Sequence, residues 1–222
     1  AGDVKYFDYN EDGDISDADR MNVGKAIPDF YGGITSNFSY KGFDLSLFGQ
    51  FSVGGKVMSA WRGVNGSEGT DHLGLALSNV KVNDRGESVE QYFNVSKEVA
   101  NGYWRGEGTS NTIPRPVRIG VHTGYDYDYN VQTSTRYLED ASYFKLKTVT
   151  LGYTLPESVV KKLRVNSLRV YVSADNLLTL TKYSGYDPET SFSGSPGDSN
   201  YGVDFGLQPV LRTFIFGLNL NF

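Results

Sequence analysis

Apolar and polar positions alternate with period two in five separate stretches of the chain, which predicts five β-strands. In the last of them, Phe214, Phe216, Leu218, Leu220 and Phe222 fall on one face and Thr213, Gly217, Asn219 and Asn221 on the other. Phe43, Leu45, Leu47, Phe51 and Val53 alternate with Asp44, Ser46, Gln50 and Ser52, interrupted only at Phe48 and Gly49. Upstream, Ile34, Phe38 and Tyr40 alternate with Thr35, Asn37 and Ser39, and Lys41-Gly42 marks a tight turn, so these two stretches form a hairpin. Val149, Leu151, Tyr153 and Leu155 alternate with Thr148, Thr150, Gly152 and Thr154 until Pro156, which has no N–H for a ladder, ends the run. Leu168, Val170, Val172 and Ala174 then alternate with Arg169, Tyr171, Ser173 and Asp175.

The connections carry as much information as the strands. They run short at Lys41-Gly42, very long from about Gly54 to Ser142, short from Pro156 to Ser167 and long from about Lys182 to Pro209. In an up-and-down sheet successive connections lie at opposite ends, so all short turns gather at one end and all long loops at the other. That asymmetry belongs to outer-membrane β-barrels, whose long loops face outside. It predicts an all-β transmembrane antiparallel barrel, with residues 1 to about 29 also on the outer side. Five strands cannot close, because the smallest such barrels have about eight and an open edge is not tolerated in hydrocarbon. Further strands are therefore expected from the remainder of the same polypeptide.

Composition agrees with strands: the chain of 222 residues has 26 Gly and 16 Tyr but only 7 Pro. No apolar run approaches the ~18 residues of a membrane-spanning helix, whereas a barrel strand needs only about 9–11 residues and leaves mean hydropathy near that of a soluble protein. The absence of Cys excludes disulfides and thiolate zinc sites, and two isolated histidines, His72 and His122, argue against a His-rich metal centre. A formal net charge of −5 without a basic run excludes a nucleic-acid partner. The opening Ala1-Gly2-Asp3-Val4 has no charged-then-apolar leader, which places any export signal upstream.

Several strings resemble SusC/RagA TonB-dependent outer-membrane proteins: the run from Gly2 to Ile15, Tyr40 to Phe48, Tyr143 to Pro156, Leu168 to Glu189, and the terminal Leu211 to Phe222. They span nearly the whole chain in that family's order, with 54–140 the divergent part. The resemblance implies that residues 1–222 supply about the last five strands of a 22-stranded barrel, the C-terminal part, without the plug domain and earlier strands. It further implies a Gram-negative outer-membrane location, contact with outer-membrane lipid, energy from the TonB complex through the missing N-terminal part, a SusD-like surface lipoprotein as partner, and import of oligosaccharides or peptides. Phe222 resembles the aromatic terminus read by outer-membrane assembly machinery; it is equally a last lipid-facing residue.

One constellation has metal-binding content. Asp8, Asn10, Asp12, Asp14 and Asp19 fit positions 1, 3, 5, 7 and 12 of a calcium loop, with Gly13 at the sharp turn and Ile15 after it. Oxygen donors suit Ca2+, which would be structural, and Ser16 would act through water. Asp19 departs from the usual Glu and has a shorter reach. The same composition also forms metal-free Asx-turns.

Trp61, Tyr103 and Trp104 in the long loop, and Tyr186 in the Tyr183–Asp187 stretch of the next, offer flat faces on which a sugar or peptide could stack. Aromatic residues in a loop this long also build its own small core. No enzymatic motif stands up: Ser78–Lys81 and Ser158–Lys161 match S-x-x-K without its companion motifs, and Asp187 with Glu189 is a glycosidase pair only at a suitable separation. The chain is expected not to be an enzyme. The rival architecture is a soluble extracellular calcium-stabilised β-sandwich that binds carbohydrate; it differs in whether the apolar faces meet lipid or a second sheet.

Overall fold

The computed structural model describes residues 1–62, 76–82, 85–92, 97–120, 130, 133–189 and 201–222. The chain divides into two compact units. The unit formed by Lys25–Val57, Glu139–Gly202 and Leu207–Phe222 holds the predicted strands: β1 (Phe30–Tyr40), β2 (Phe43–Val53), β3 (Tyr143–Thr154), β4 (Ser167–Thr181) and β5 (Thr213–Asn221). They form one five-stranded sheet in sequence order, every neighbouring pair antiparallel.

The register aligns apolar with apolar across the sheet. Phe38, Leu45 and Leu151 lie opposite one another on β1, β2 and β3, and Leu151, Val172 and Phe216 continue the row across β4 and β5. Nothing among the described residues covers this face: Phe216 is 81% and Leu218 71% exposed. The rival sandwich is corrected by that exposure, since a second sheet would bury these side chains. The eleven residues of β2, at about 3.3 Å each and a tilt of about 45°, project to ~25 Å, the height of the apolar band of an outer-membrane barrel.

Two features depart from simple alternation. Opposite β2 the register shifts between Phe48 and Gly49 and leaves Lys147 of β3 as an extra residue, a β-bulge; opposite β4 the single Lys147 faces two residues, Asn176 and Leu177. The bulge explains why the pattern read from Val149 onward did not extend to Tyr143: Phe144 and Leu146 belong to the apolar face in the opposite phase. On the polar face, Arg169 of β4 reaches across β3 to Asp44 of β2, its Nε 2.9 Å from the carboxylate. It passes directly over Gly152, where a Cβ would stand 2.4 Å from the guanidinium.

At one end of the sheet lie Lys41-Gly42 and a helix, α1 (Glu157–Leu163), joining β3 to β4. The chain leaves the sheet for both long connections, after β2 and after β4, from the opposite strand ends, so short and long connections alternate as expected.

The second unit comprises Ala1–Gly24, Met58–Leu138 and Val203–Gly206. The expectation of five strands omitted the short strands that this unit contains. Ala76–Val82 pairs antiparallel with Ser88–Tyr92 and parallel with Val117–Gly120, and Met58-Ser59 pairs parallel with Val203-Asp204. A one-turn helix spans Lys97–Gly102. Segments this short carry too few alternating positions to be recognised by period. Asn130, almost fully buried, organises the unit: its side chain accepts from Val4 N–H at 2.7 Å and donates to Asp3 and to the Arg115 carbonyl. Asp3 also pairs with Arg115, two parallel bonds of 2.6 and 3.0 Å.

Candidate functional site

Polar groups concentrate where the polar face of the sheet meets the segment after β4. Lys145, only 3% exposed along its side chain, donates to Asp187, itself 6% exposed, and to Glu189 at 2.8 Å. Lys147 donates to the same Glu189 oxygen at 2.5 Å. Gln50 of β2 donates to the Tyr143 hydroxyl at 3.2 Å and to Glu189 Oε1 at 3.4 Å. The β3 bulge makes this possible, because strict alternation would send Lys147 toward the face opposite Thr148, whereas here both lysines serve one carboxylate.

Two lysines and two carboxylates balance in formal charge. Burial pushes the Glu189 carboxyl upward, but hydrogen bonds and charge from Lys145 and Lys147 outweigh it and hold the group below the usual glutamate range. The segment is thereby pinned onto the strand wall, with support from Asp187 Oδ1, which accepts from Glu189 N–H at 2.9 Å, and Glu139, which takes both the N–H and the hydroxyl of Ser184. Asp187 and Glu189 are engaged by lysines rather than set across an open cleft, so the arrangement is a clamp and not a glycosidase pair. Sequence reasoning singled out Asp187 and Glu189 but missed Lys145, Lys147 and Gln50. The available signal was two lysines in a strand otherwise rich in Thr and apolar residues.

The aromatic candidates divide between the units. Tyr186 stands 72% exposed beside Asp187, while Tyr183 is buried. Trp61 lies in a 3-10 turn with the Arg62 guanidinium 6.0 Å from its ring, and Tyr103 carries Arg105 at 4.5 Å. Trp104 packs over Gly2, where a Cβ would meet its ring at 2.3 Å. Trp61, Tyr103 and Trp104 are all half-buried within their unit. Of the S-x-x-K matches, Ser158–Lys161 falls in α1, where Lys161 pairs with Glu157 at 2.9 Å, and the side chains of Ser78–Lys81 lie outside the described residues, as do His72 and His122.

The predicted calcium loop is a compact turn built on its own backbone. Asp8 Oδ2 accepts from Gly13 N–H at 2.9 Å, Asn10 Oδ1 from Asp12 N–H at 3.1 Å, and Asp12 Oδ1 from Asp14 N–H at 2.9 Å. Asp19 takes Tyr9 N–H at 2.8 Å and Ser16 N–H at 2.7 Å, and Ser16 caps the 3-10 turn Asp17–Asp19 in return. Among the described residues no group of three or more His, Cys, Asp or Glu converges as a metal site, but Asp8 Oδ1 is buried without a hydrogen-bond partner. The Ser16 N–H, followed by Tyr9 and Asn10 N–H groups and the Asp8 side chain, holds Asp19 below the ordinary aspartate value near 3.8. Its folded pKa is depressed, so the stabilisation is complete above that value and is lost as pH falls through the lower, folded one. Hydrogen-exchange protection of Tyr9 and Ser16, measured against their intrinsic rates, is expected to fall only once pH drops below about 3.8; Asp19→Asn should show the lower protection at every pH.

With this geometry in place the relatives become informative. No protein-family profile matches the chain. TonB-dependent receptor P3 of Formosa agariphila is 33% identical over 100% of the chain, covering 19% of that protein. TonB-dependent receptor SusC of Bacteroides thetaiotaomicron is 26% identical over 98% of the chain and 17% of its own length. Among solved structures, the RagAB peptide importer in the open-open state superposes with a TM-score of 0.59 at 24% identity, covering 94% of this chain and 19% of that one. Along its whole length the chain matches one segment of SusC-type TonB-dependent receptors. It spans less than a quarter of the length of the curated relatives it matches. A second structure, of the RagAB peptide transporter, agrees at a TM-score of 0.61 and 23% identity, over 90% of this chain and 18% of that one. The all-β fold of these receptors is thus the fold of this segment.

Proposed function

We propose that residues 1–222 form part of the C-terminal barrel wall and outer loops of a TonB-dependent importer in a Gram-negative outer membrane, taking up oligosaccharides or peptides with a SusD-like lipoprotein. The observation that carries this reading is the uncovered sheet, apolar on one face and polar on the other, with short turns at one end and long loops at the other. Whole-chain similarity to proteins named TonB-dependent receptors supports it. The remaining strands come from the rest of the same polypeptide, because β1 and β5 each leave a free edge among the described residues. In this reading Tyr186 stands beside the clamp at the loop end, with Trp61, Tyr103 and Trp104 as further contacts to substrate. The chain's part is to line and gate a path, not to catalyse.

The test is fractionation and uptake with the intact polypeptide. It should be recovered from the outer membrane as a heat-modifiable barrel, and substrate accumulation should stop when TonB is absent. Recovery as a folded soluble protein would sink the proposal.

Calcium on the Asp8–Asp19 loop belongs to the same reading. Asp8, Asn10, Asp12 and Asp19 would offer side-chain oxygens and Asp14 its carbonyl, and the buried Asp8 Oδ1, which has no hydrogen-bond partner, is an oxygen that a cation would satisfy. The ion would hold the loop closed. Adding Ca2+ to chelator-treated intact receptor should slow proteolysis between residues 8 and 19 severalfold, and Asp8→Ala should abolish the effect. Protection unchanged by Ca2+ would leave the loop as a metal-free Asx-turn array.

A further inference from the structure

The short-turn end of the sheet carries a set of residues that the import function does not use. Tyr40, Phe43 and Tyr153 lie opposite one another on β1, β2 and β3 at the end of the apolar face, with the Phe43 and Tyr153 rings 4.4 Å apart. Lys41, next in the chain, holds its Nζ 5.2 Å from the Tyr40 ring centroid, so a cation sits on the rim of the apolar face. The neighbouring connection is tied to this turn by the Thr154 N–H, which donates to the Gly42 carbonyl at 2.8 Å. That connection contains α1, anchored by the buried Val160 but leaving Leu163 55% exposed and Val159 exposed one turn earlier.

Charge at this end is one-sided. Residues 155–166 contain Lys161, Lys162 and Arg164 against one acid, Glu157, which is taken by Lys161. Asp44 is taken by Arg169. Among the described residues Lys41, Lys162 and Arg164 form no salt bridge and are exposed. An aromatic row edged by basic side chains is the arrangement that places rings at headgroup level and lets long cationic side chains reach the phosphates.

We propose that this end is a binding site for the headgroup of an anionic phospholipid. Lys41, Lys162 and Arg164 bind the phosphodiester, while the acyl chains lie along Tyr40, Phe43 and Tyr153. The inference rests on the reading above that the apolar face meets lipid, and it adds which lipid and where. A free phosphate would satisfy the cations but would leave Tyr40, Val159 and Leu163 in water, so a lipid is the better match.

The test uses the intact receptor, purified in detergent and offered equimolar phosphatidylglycerol and phosphatidylcholine, with retained lipids counted by native mass spectrometry. Retention of phosphatidylglycerol over phosphatidylcholine is expected, and the variant K41Q/K162Q/R164Q should lose roughly tenfold or more of that preference. Its heat-modifiable barrel should be unchanged, and K41R/K162R should keep the preference. If the triple variant fails to assemble, K162Q alone should show a partial loss. Equal retention of both lipids by the unmodified receptor, or a preference surviving in the Gln variants, overturns the site while leaving the lipid-facing wall intact. If the unmodified receptor does not insert into phosphatidylcholine vesicles at all, the lipid-facing reading itself fails, and this inference with it.

Discussion

Replacing Lys145 with Met is expected to release the segment around Asp187 and Glu189 from the strand wall. Lys145 is nearly fully buried and donates to both carboxylates, so its removal leaves Asp187 as a buried charge with its lysine gone and Glu189 with Lys147 as its one remaining lysine beside Gln50. Breaking a buried pair from one side costs about 3–5 kcal/mol, because the remaining charge keeps its desolvation penalty and loses its compensation. The segment can escape that penalty by moving Asp187 into water. Proteolysis and hydrogen exchange should therefore rise at residues 183–189, while the β2–β3 and β3–β4 ladders keep their protection. Replacing Lys145 and Asp187 together by Met and Leu should cost much less than the sum of the two single changes. A Lys145→Met receptor with the loop still protected would mean that the clamp contributes little to anchoring. If the loop gates substrate, its release should also change uptake, and an uptake defect without loop exposure would point to direct contact instead.

A Val at Gly42 should have an effect of similar size by a different route. Lys41 and Gly42 both have positive φ, 47° and 86°, which is the two-residue hairpin turn whose twist matches that of the flanking strands. A Cβ at residue 42 would lie 2.8 Å from the Thr154 backbone oxygen, an atom fixed by the β3 ladder. Left-handed backbone and a clash with an immobile carbonyl together cost about 2–4 kcal/mol for a β-branched side chain. The β1–β2 register depends on this turn, and a one-residue slip would turn Phe38 and Tyr40 to the polar face. Gly42→Val is therefore expected to lower the yield of heat-modifiable receptor. Gly42→Asn, which tolerates the left-handed region better, should recover much of it. Equal yields from all three forms would show that the turn does not set the register.

The long period-two runs were legible because successive side chains on a strand point to opposite faces, and an uncovered sheet, apolar on one face and polar on the other, keeps that record cleanly. The strand order and the sidedness of short and long connections followed from the same periodicity. What alternation could not carry is seen at Lys147, where one inserted residue reverses the phase: Phe144 and Leu146 share a face with Val149 and Leu151, so half of β3 was missed. Phe48 looked like a flaw in β2, but its ring lies over Gly33 across the hairpin on the polar face, 2.8 Å from where a Cβ would be, which depends on the partner strand. The short strands of the loop unit were invisible because none is longer than seven residues and the parallel pairing of Ala76–Val82 with Val117–Gly120 is non-local.

The sequence by itself determined the strands, their order, their apolar and polar faces and the acidic turn from Asp8 to Asp19, since each is written in local spacing and residue type. Tertiary structure alone decided that Lys145 and Lys147 share Glu189 and that Arg169 crosses Gly152 to Asp44. Lys145 lies more than forty residues from Glu189, and Arg169 lies 125 residues from Asp44. Only the bulge and the register bring those charges within hydrogen-bonding distance, and no period along the chain encodes either.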